Sequence, residues 1–286
     1  MKLHSKNVDF FVPDGTEVQA ALKRTTHLGI GAHQDDIELM STHGILECFE
    51  SKDKWFTGIT CTDGGGSPRA GIYSNYTDDE MKVVRLKEQK VAASIGQYGA
   101  MVQLGYPSKT IKDPKDKRLR DDLAELIKTM RPKVVYTHNP LDKHNTHVGV
   151  VLAALGAMRT LPPADRPEKV YGCEVWRTLD WVPDPSKVVL DVGGRDHLVA
   201  ALTGVYDSQI AGGKRYDLAT LGRFRANATY LDSHTVDKCE AAMYALDLTP
   251  IIRDDKIAVA DYVRGLMDDF RRAVEKQFVE LIGPRE

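Results

Sequence analysis

Short apolar runs alternate with longer amphipathic stretches from residue 27 onward, and this alternation limits the chain to few folds. The pattern predicts strands over residues 28–32, 55–62, 101–104, 134–137, 170–175 and 187–192. It predicts helices over residues 37–49, 78–98, 115–130, 148–159, 196–208, 218–231 and 257–281. Strands and helices in alternation form parallel βαβ units. We therefore expect an α/β fold, in which a Rossmann-like, mostly parallel sheet is flanked by helices.

The chain contains no repeat, low-complexity tract or flexible linker. Its first 24 residues are irregular by pattern, with Pro13-Asp14-Gly15 marking a turn. We expect residues 1–286 to form one domain, with a core over about residues 27–210 and a C-terminal helical extension over 211–286.

Charge and composition exclude several classes of function. The chain has 39 basic and 41 acidic residues, and a net charge of −2 gives no reason to expect a nucleic acid or a membrane as a partner. Neither an N-terminal signal segment nor a run of ~18 apolar residues is present. The cysteines are widely spaced and predict neither a disulfide framework nor a thiolate zinc site: Cys48, Cys61, Cys173 and Cys239. We expect a cytoplasmic protein.

Two clusters of histidines and carboxylates follow two of the predicted strands. They read His33-Gln34-Asp35-Asp36-Ile37-Glu38 and His144-Asn145-Thr146-His147. Because ligands bind beyond the carboxyl ends of the strands in open α/β sheets, the two clusters can meet there. Zinc takes imidazole nitrogen and carboxylate oxygen, and a catalytic site keeps one position open. The sequence therefore predicts a metal site with three ligands: His33, Asp36 and His147.

Two further side chains are left beside this site to handle protons. Asp35 must point away from its neighbour Asp36, which makes it the candidate general base. His144 lies one helical turn from His147 and is the candidate to stabilise an oxyanion or to donate to a leaving amine. Asp142 is counted among the residues around the substrate, either as a carboxylate that orients an imidazole or as a loop residue before the helix.

These motifs carry a family resemblance. The first cluster resembles the A-H-P-D-D-E signature of the LmbE-like (PIG-L) N-deacetylases, and the second matches their H-x-x-H signature. Between the two, three more segments resemble the family in order: the glycine-rich loop at residues 62–69, an R-x-x-E pair at Arg85 and Glu88, and the turn at residues 104–107. The resemblance covers roughly residues 27–210, and ordered motifs are more specific than any single one.

The resemblance implies a zinc-dependent deacetylase of N-acetyl sugars. It implies the same metal ligands, the same base and the same role for His144, and it adds Arg69 as a contact to substrate hydroxyl or phosphate groups. Two departures stand out: Gln34 replaces the usual proline, and Thr146 replaces a common aspartate. If His144 has an orienting carboxylate, Asp142 is then the candidate.

The leading hypothesis is a metal-dependent hydrolase that removes an acetyl group from an N-acetylated amino sugar, such as N-acetylglucosamine, or from a sugar conjugate. One alternative is an amidase that acts on a larger conjugate. Another is a Rossmann-like cofactor-binding protein of the methyltransferase type, which Gly29-x-Gly31 permits, and a third is a binding protein with a degenerate site. Zn²⁺ is the expected cofactor, with Fe²⁺, Co²⁺ and Ni²⁺ as alternatives, and a homo-oligomer is compatible with the sequence.

Overall fold

The computed structural model describes residues 1–283, and an eight-stranded sheet lies at its centre. The strands are β1 (Asp9–Phe11), β2 (His27–Gly31), β3 (Phe56–Thr62), β4 (Ala100–Tyr106), β5 (Val134–His138), β6 (Lys169–Cys173), β7 (Val188–Asp191) and β8 (Ala242–Asp247). Their order across the sheet is β1-β4-β3-β2-β5-β6-β8-β7. Neighbours from β4 to β6 pair in parallel, and the other pairs are antiparallel. The predicted fold class is confirmed.

Helices cover both faces of this sheet. They are α1 (Val18–Lys23), α2 (Asp36–Met40), α3 (Thr42–Cys48), α4 (Asp78–Ile95), α5 (Ser108–Lys112), α6 (Arg118–Met130), α7 (Asn145–Arg159), α8 (Asp196–Gly204), α9 (Asp207–Ile210), α10 (Tyr216–Thr229), α11 (Thr249–Arg253) and α12 (Val259–Ile282). One apolar core joins the sheet to α1, α6, α7 and α11, and a second joins its other face to α2, α3, α8 and α10. None of the described helices is both long and apolar enough to cross a membrane.

Local sequence explains the close packing of α2 against the sheet. Every residue of β2 and β3 is buried, as expected for strands covered on both faces. A Cβ at Gly29 would lie 2.8 Å from the Phe56 ring, and one at Gly31 would lie 3.1 Å from Asp36 Cβ. The two glycines thus let α2 approach the sheet, and this packing role accounts for the Gly29-x-Gly31 spacing without a dinucleotide.

Several elements differ from the sequence-based expectation. The short helices α5 and α11 lie outside every predicted helix, and the predicted helix over residues 37–49 is divided into α2 and α3. The opening segment contains the three-residue strand β1 and the short helix α1, both too short to show a periodicity. Residues 211–283 are mainly helical as expected, but they also supply β8, which lies inside the sheet between β6 and β7. The last three residues of the predicted domain, 284–286, lie outside the described residues.

Candidate metal centre and active site

The strand order places the two polar clusters beside each other. After β2 the chain adds β3 and β4 on one side and then returns to add β5 on the other side of β2. This reversal creates a crevice beyond the carboxyl ends of β2 and β5. His33 follows β2 and leads into α2, while His144 and His147 lie at the start of α7 after β5.

Three side-chain atoms converge in this crevice. His33 Nδ1 lies 3.2 Å from Asp36 Oδ2, His147 Nε2 lies 3.3 Å from His33 Nδ1, and His147 Nε2 lies 3.4 Å from Asp36 Oδ2. Metal–ligand distances of ~2.0–2.2 Å in a tetrahedral site separate neighbouring ligand atoms by roughly 3.3–3.6 Å. The nearly equilateral triangle therefore fits a single zinc-sized ion in both size and donor chemistry.

Asp36 is held in place before any ion binds. Its Oδ2 accepts the backbone N–H of His33 at 2.6 Å, which fixes the carboxylate across the strand-to-helix turn. Burial alone would raise the pKa of Asp36, but the adjacent His147 and His138 bring this pKa well below its usual range. The carboxylate is thus ionised and ready to ligate.

His138 extends the cluster beyond the predicted set. Its Nε2 lies 3.4 Å from Asp36 Oδ2, and its ring stacks on His147 at a centroid distance of 3.9 Å. However, the same Nε2 accepts the backbone N–H of Ala32 at 2.9 Å, as expected of a local hydrogen-bonding residue. Two overlapping ligand groups are possible among residues 1–283, His33–His144–His147 and Asp36–His138–His147, and both contain His147.

Asp142 lies behind the metal centre. Its side chain is fully buried, its Oδ2 lies 3.5 Å from His147 Nδ1, and its Oδ1 accepts the backbone N–H of His144. The carboxylate is therefore a charged neighbour of the His147 ring and a hydrogen-bond acceptor for the backbone of His144. Asp142 is not among the residues that line the crevice, and its role as an orienting carboxylate stays a prediction.

His144 borders the crevice directly. Its ring meets His33 edge-on at 5.0 Å between centroids and lies 4.6 Å from His147. Burial, together with the two neighbouring histidines, lowers the pKa of His144 to about 4, so the ring is neutral at neutral pH. Its Nδ1 is buried and has no protein partner. The part of the His144 ring that borders the crevice can contact a substrate.

Asp35 also borders the crevice and has a strained backbone. Its φ of 102° is unusual for a residue other than glycine and costs of order 1–3 kcal/mol unless neighbours enforce it. Arg85 on α4 donates to Asp35 Oδ2 at 3.2 Å and to the carbonyl of Gln34. Burial raises the pKa of Asp35 to about 6, although Arg85 opposes this shift.

A buried polar network also holds the turn that contains Asp35. Gln89 accepts the backbone N–H of Asp35 at 3.4 Å and donates to Glu38 at 2.9 Å. The carboxylate of Glu38 also accepts hydrogen bonds from the hydroxyls of Tyr98 and Tyr206, at 2.6 and 2.5 Å. The strained residue is thus fixed through α4 as well as through α2.

Comparison with known proteins agrees with this arrangement. Residues 28–158 match the family described as PIG-L: GlcNAc-PI de-N-acetylase. This segment contains both polar clusters and the strands that carry them. Residues 28–158, just under half of the chain, are therefore similar to the PIG-L family.

Individual proteins are also similar to parts of this chain. A protein named as an uncharacterized deacetylase, YaiS of Escherichia coli strain K12, is 28% identical over 153 residues, which are 53% of this chain and 77% of YaiS. The N,N'-diacetylchitobiose deacetylase from Pyrococcus horikoshii superimposes with a TM-score of 0.58 at 16% identity, over 77% of this chain and 83% of that one. GalB, the 4-carboxy-2-hydroxymuconate hydratase from Pseudomonas putida KT2440, superimposes with a TM-score of 0.60 at 17% identity, over 78% and 96%.

The two superimposed structures confirm the fold and nothing more specific. They are named for different reactions, a deacetylation and a hydration. The fold alone therefore does not select a reaction for this chain.

The two departures from the PIG-L signature are accommodated locally. Gln34 is buried, and its amide donates to the carbonyl of Thr62 at 3.2 Å and to Gln103 at 3.3 Å. These bonds tie the turn to β3 and β4, where a proline would make none. Thr146 is also buried and borders the crevice.

The glycine-rich loop lies at the crevice, but the predicted arginine does not. Gly64 has a φ of 74° and approaches Gln34 so closely that a Cβ would lie 2.6 Å from its Oε1. Gly64 and Ser67 line the crevice. Arg69 instead turns away and donates to the carbonyl of Gly65 at 2.7 Å and to Asp78. In this structure Arg69 is paired with Gly65 and Asp78 and is not among the residues that line the crevice, so its contact with a substrate stays a prediction.

The structure shows lining residues that sequence reasoning missed. Above the metal centre the crevice widens into a cleft of about 410 Å³, within the ~300–1,000 Å³ typical of small-molecule sites. We call part of its lining the outer wall: Lys112, Trp176, Lys214, Tyr216 and Arg223. Arg85 also lines the cleft, and only its R-x-x-E spacing could have indicated this. Trp181, by contrast, packs on Phe270 of α12.

Proposed function

We propose that this chain is a metal-dependent hydrolase that removes the acetyl group from an N-acetylated amino sugar or sugar conjugate. The observation that carries the proposal is the triangle of His33, Asp36 and His147, with ligand atoms 3.2–3.4 Å apart and the carboxylate of Asp35 beside them. The PIG-L domain match over residues 28–158 supports the choice of deacetylation.

His33, Asp36 and His147 would hold the ion. A bound zinc ion would polarise the amide carbonyl and lower the pKa of a water molecule toward ~7. Zinc is the first choice because imidazole and carboxylate suit it, and Fe²⁺, Co²⁺ and Ni²⁺ are the alternatives that the same ligands accept.

Asp35 acts as the general base. It borders the cleft next to the ligands, and its carboxylate is fixed by Arg85. As water adds to the amide carbon, Asp35 takes one of its protons. When the C–N bond breaks, the leaving nitrogen takes a proton back, so that acetate and a free amine are the products.

His144 stabilises the oxyanion that forms on the carbonyl oxygen. The ring lies beside His33 at the edge of the cleft, and a ring N–H can donate to the oxyanion there. A donor that is positioned before the reaction requires no reorganisation as the charge develops.

The test is a release assay with defined metal content. The chelator-treated protein is loaded with one equivalent of Zn²⁺ and incubated with a panel of N-acetylated sugars and sugar conjugates, and both acetate and free amine are quantified. We expect equimolar release that disappears with chelator and returns with metal. A fully loaded protein that releases neither product from any panel member would contradict the proposal.

The same assay separates the amidase alternative. Substrates with larger acyl groups in place of acetyl should be poor if the chain is a deacetylase. Preferential release of a long acyl chain, with acetyl substrates inert, would replace the deacetylase by an amidase that uses the same residues.

A further inference from the structure

The outer wall combines aromatic surface with positive charge. Trp176 meets Tyr216 edge-on at 5.9 Å between ring centroids, and Lys214 Nζ lies 5.4 Å from the centre of the Trp176 ring. Tyr216 and Arg223 lie seven residues apart on α10, which places them on the same helical face. A ring-shaped substrate would therefore meet aromatic and cationic groups on the same side.

The cations of this wall lack counter-charges. Two other cations nearby, Arg85 and Arg215, are paired with Asp35 and Asp217. Lys112, Lys214 and Arg223, in contrast, have no carboxylate ion-pair partner among residues 1–283. Lys112 comes from α5, after β4, so the three cations reach one cleft from separate parts of the chain.

The local charge is opposite to that of the whole protein. The cleft is lined by four cationic side chains, Arg85, Lys112, Lys214 and Arg223, and by two carboxylates, Asp35 and Asp36, which gives 4 − 2 = +2 with neutral histidines. The full chain has a net charge of −2. A cleft with an excess of one sign of charge attracts ligands of the opposite sign.

Arg85 adds a buried donor to the same cleft. Its side chain is only 2% exposed, and its Nε and Nη1 have no hydrogen-bond partner although Nη2 is occupied. Buried unpaired N–H groups are costly, so a ligand with acceptor oxygens is the natural complement to this end of the cleft.

We propose that the substrate carries an anionic group, a carboxylate or a phosphate, which the outer wall binds while the acetamide faces the metal centre. This inference rests on the proposed deacetylase function and names the substrate class of the same site. Lys112 and Lys214 pair with the anionic group, and Trp176 packs against the ring that bears it. Most of these residues lie outside the PIG-L match over 28–158, so the preference is a property of this chain's own outer wall.

The experiment compares three sugars that differ at one position. N-acetylglucosamine, its C6 carboxylate (the uronic acid) and its 6-phosphate present a neutral group, a carboxylate and a phosphate on the same scaffold. We expect kcat/KM for at least one anionic sugar to exceed that for the neutral sugar by about tenfold or more, and the advantage to shrink at high salt because Debye screening weakens exposed pairs. The anionic sugar with the higher kcat/KM identifies the anionic group of the substrate as a carboxylate or as a phosphate.

Variants that remove charge test whether Lys112 and Lys214 cause the preference for anionic sugars. The double variant Lys112→Gln/Lys214→Gln should raise KM for the anionic sugar about tenfold, which corresponds to ~1.4 kcal/mol, and should change KM for the neutral sugar much less. Lys128→Gln removes one positive charge of the same kind from an exposed position on α6 and should change nothing. Lys112→Arg/Lys214→Arg should restore the preference.

A binding measurement separates this inference from the proposed function. Metal-free protein is titrated calorimetrically with glucosamine and with glucosamine 6-phosphate, so that phosphate cannot bind to an ion. Tighter binding of the phosphate, lost in the double Gln variant, supports the anionic substrate even if no acetyl group is released. Equal binding and equal kcat/KM for all three sugars would overturn the inference while leaving deacetylation intact.

Discussion

The metal centre and the outer wall face the same cleft, yet they are built in opposite ways. His33, Asp36 and His147 come from the ends of adjacent central strands, and the side chains of Asp36 and His147 are 3% and 0% exposed. Lys112 lies on the short helix α5 and Lys214 in the loop before α10, and both are exposed. One region is fixed by burial and hydrogen bonds, whereas the other keeps its charged groups free.

This difference indicates that the metal centre and the outer wall have different functions. A buried cluster whose ligand atoms already lie 3.2–3.4 Å apart need not reorganise to bind an ion, so it determines which bond is broken. Exposed side chains on α5 and in the loop before α10 can change without disturbing the core, so they determine which molecule is accepted. Variants of the metal centre should therefore lower kcat for every substrate, and variants of the outer wall should change KM for some.

The largest effect is expected from His147→Ala. His147 belongs to both ligand groups that the structure offers, so its loss should reduce bound metal from about one ion per chain to almost none and abolish acetyl release. Elemental analysis and the release assay measure the two effects on the same sample. His234→Ala, at an exposed position far along the chain, is the matched control. Retention of a full equivalent of metal by His147→Ala would refute the ligand assignment.

Asp35→Asn should keep the metal and lose most of the activity. The substitution preserves size, and the new amide oxygen can still accept from Arg85, but the side chain can no longer take a proton. We expect kcat to fall by ~10²–10⁴-fold for neutral and anionic substrates alike, with the metal content of the wild type. Normal turnover by this variant would mean that another group removes the proton.

Much of this arrangement was predictable from sequence because it depends on local patterns. Apolar runs identified β2 and β5, and the polar clusters at their ends identified His33, Asp36 and His147. The parallel order of the strands then had to bring these clusters together. Thr77 illustrates the same point for a helix end, since its hydroxyl and Glu80 form the capping box that begins α4.

What could not be predicted depends on tertiary contacts. β8 lies between β6 and β7 although it follows both in the chain, and no local pattern encodes that insertion. Arg69 looked like a substrate contact from its place after the glycines, but the start of α4 brings Asp78 within reach of its guanidinium. Lys214 reaches the cleft only because α10 packs near the metal centre.

Arg85→Met tests a residue that lies between the two regions. It lines the cleft, but it also holds the strained turn by donating to the Gln34 carbonyl and to Asp35. If positioning of Asp35 dominates, kcat should fall by about ten- to a hundredfold for all three sugars, because small misplacements of a catalytic group are costly. Metal content should stay unchanged, and the melting temperature should fall since the buried Asp35 loses its partner. A rise in KM confined to the anionic sugars would instead assign Arg85 to the outer wall.

The smallest effect is expected from Arg69→Ala. Arg69 is paired with Asp78 at the start of α4, its side chain is 23% exposed, and it does not line the cleft. Exposed pairs of this kind contribute little, so kcat/KM should fall by no more than about fivefold, and equally for neutral and anionic sugars. Asp78→Ala should reproduce the same loss, and the double variant should add nothing to it, because both substitutions break one contact. A tenfold rise in KM for the anionic sugars alone, seen in Arg69→Ala but not in Asp78→Ala, would instead mean that the guanidinium leaves Asp78 and binds the substrate.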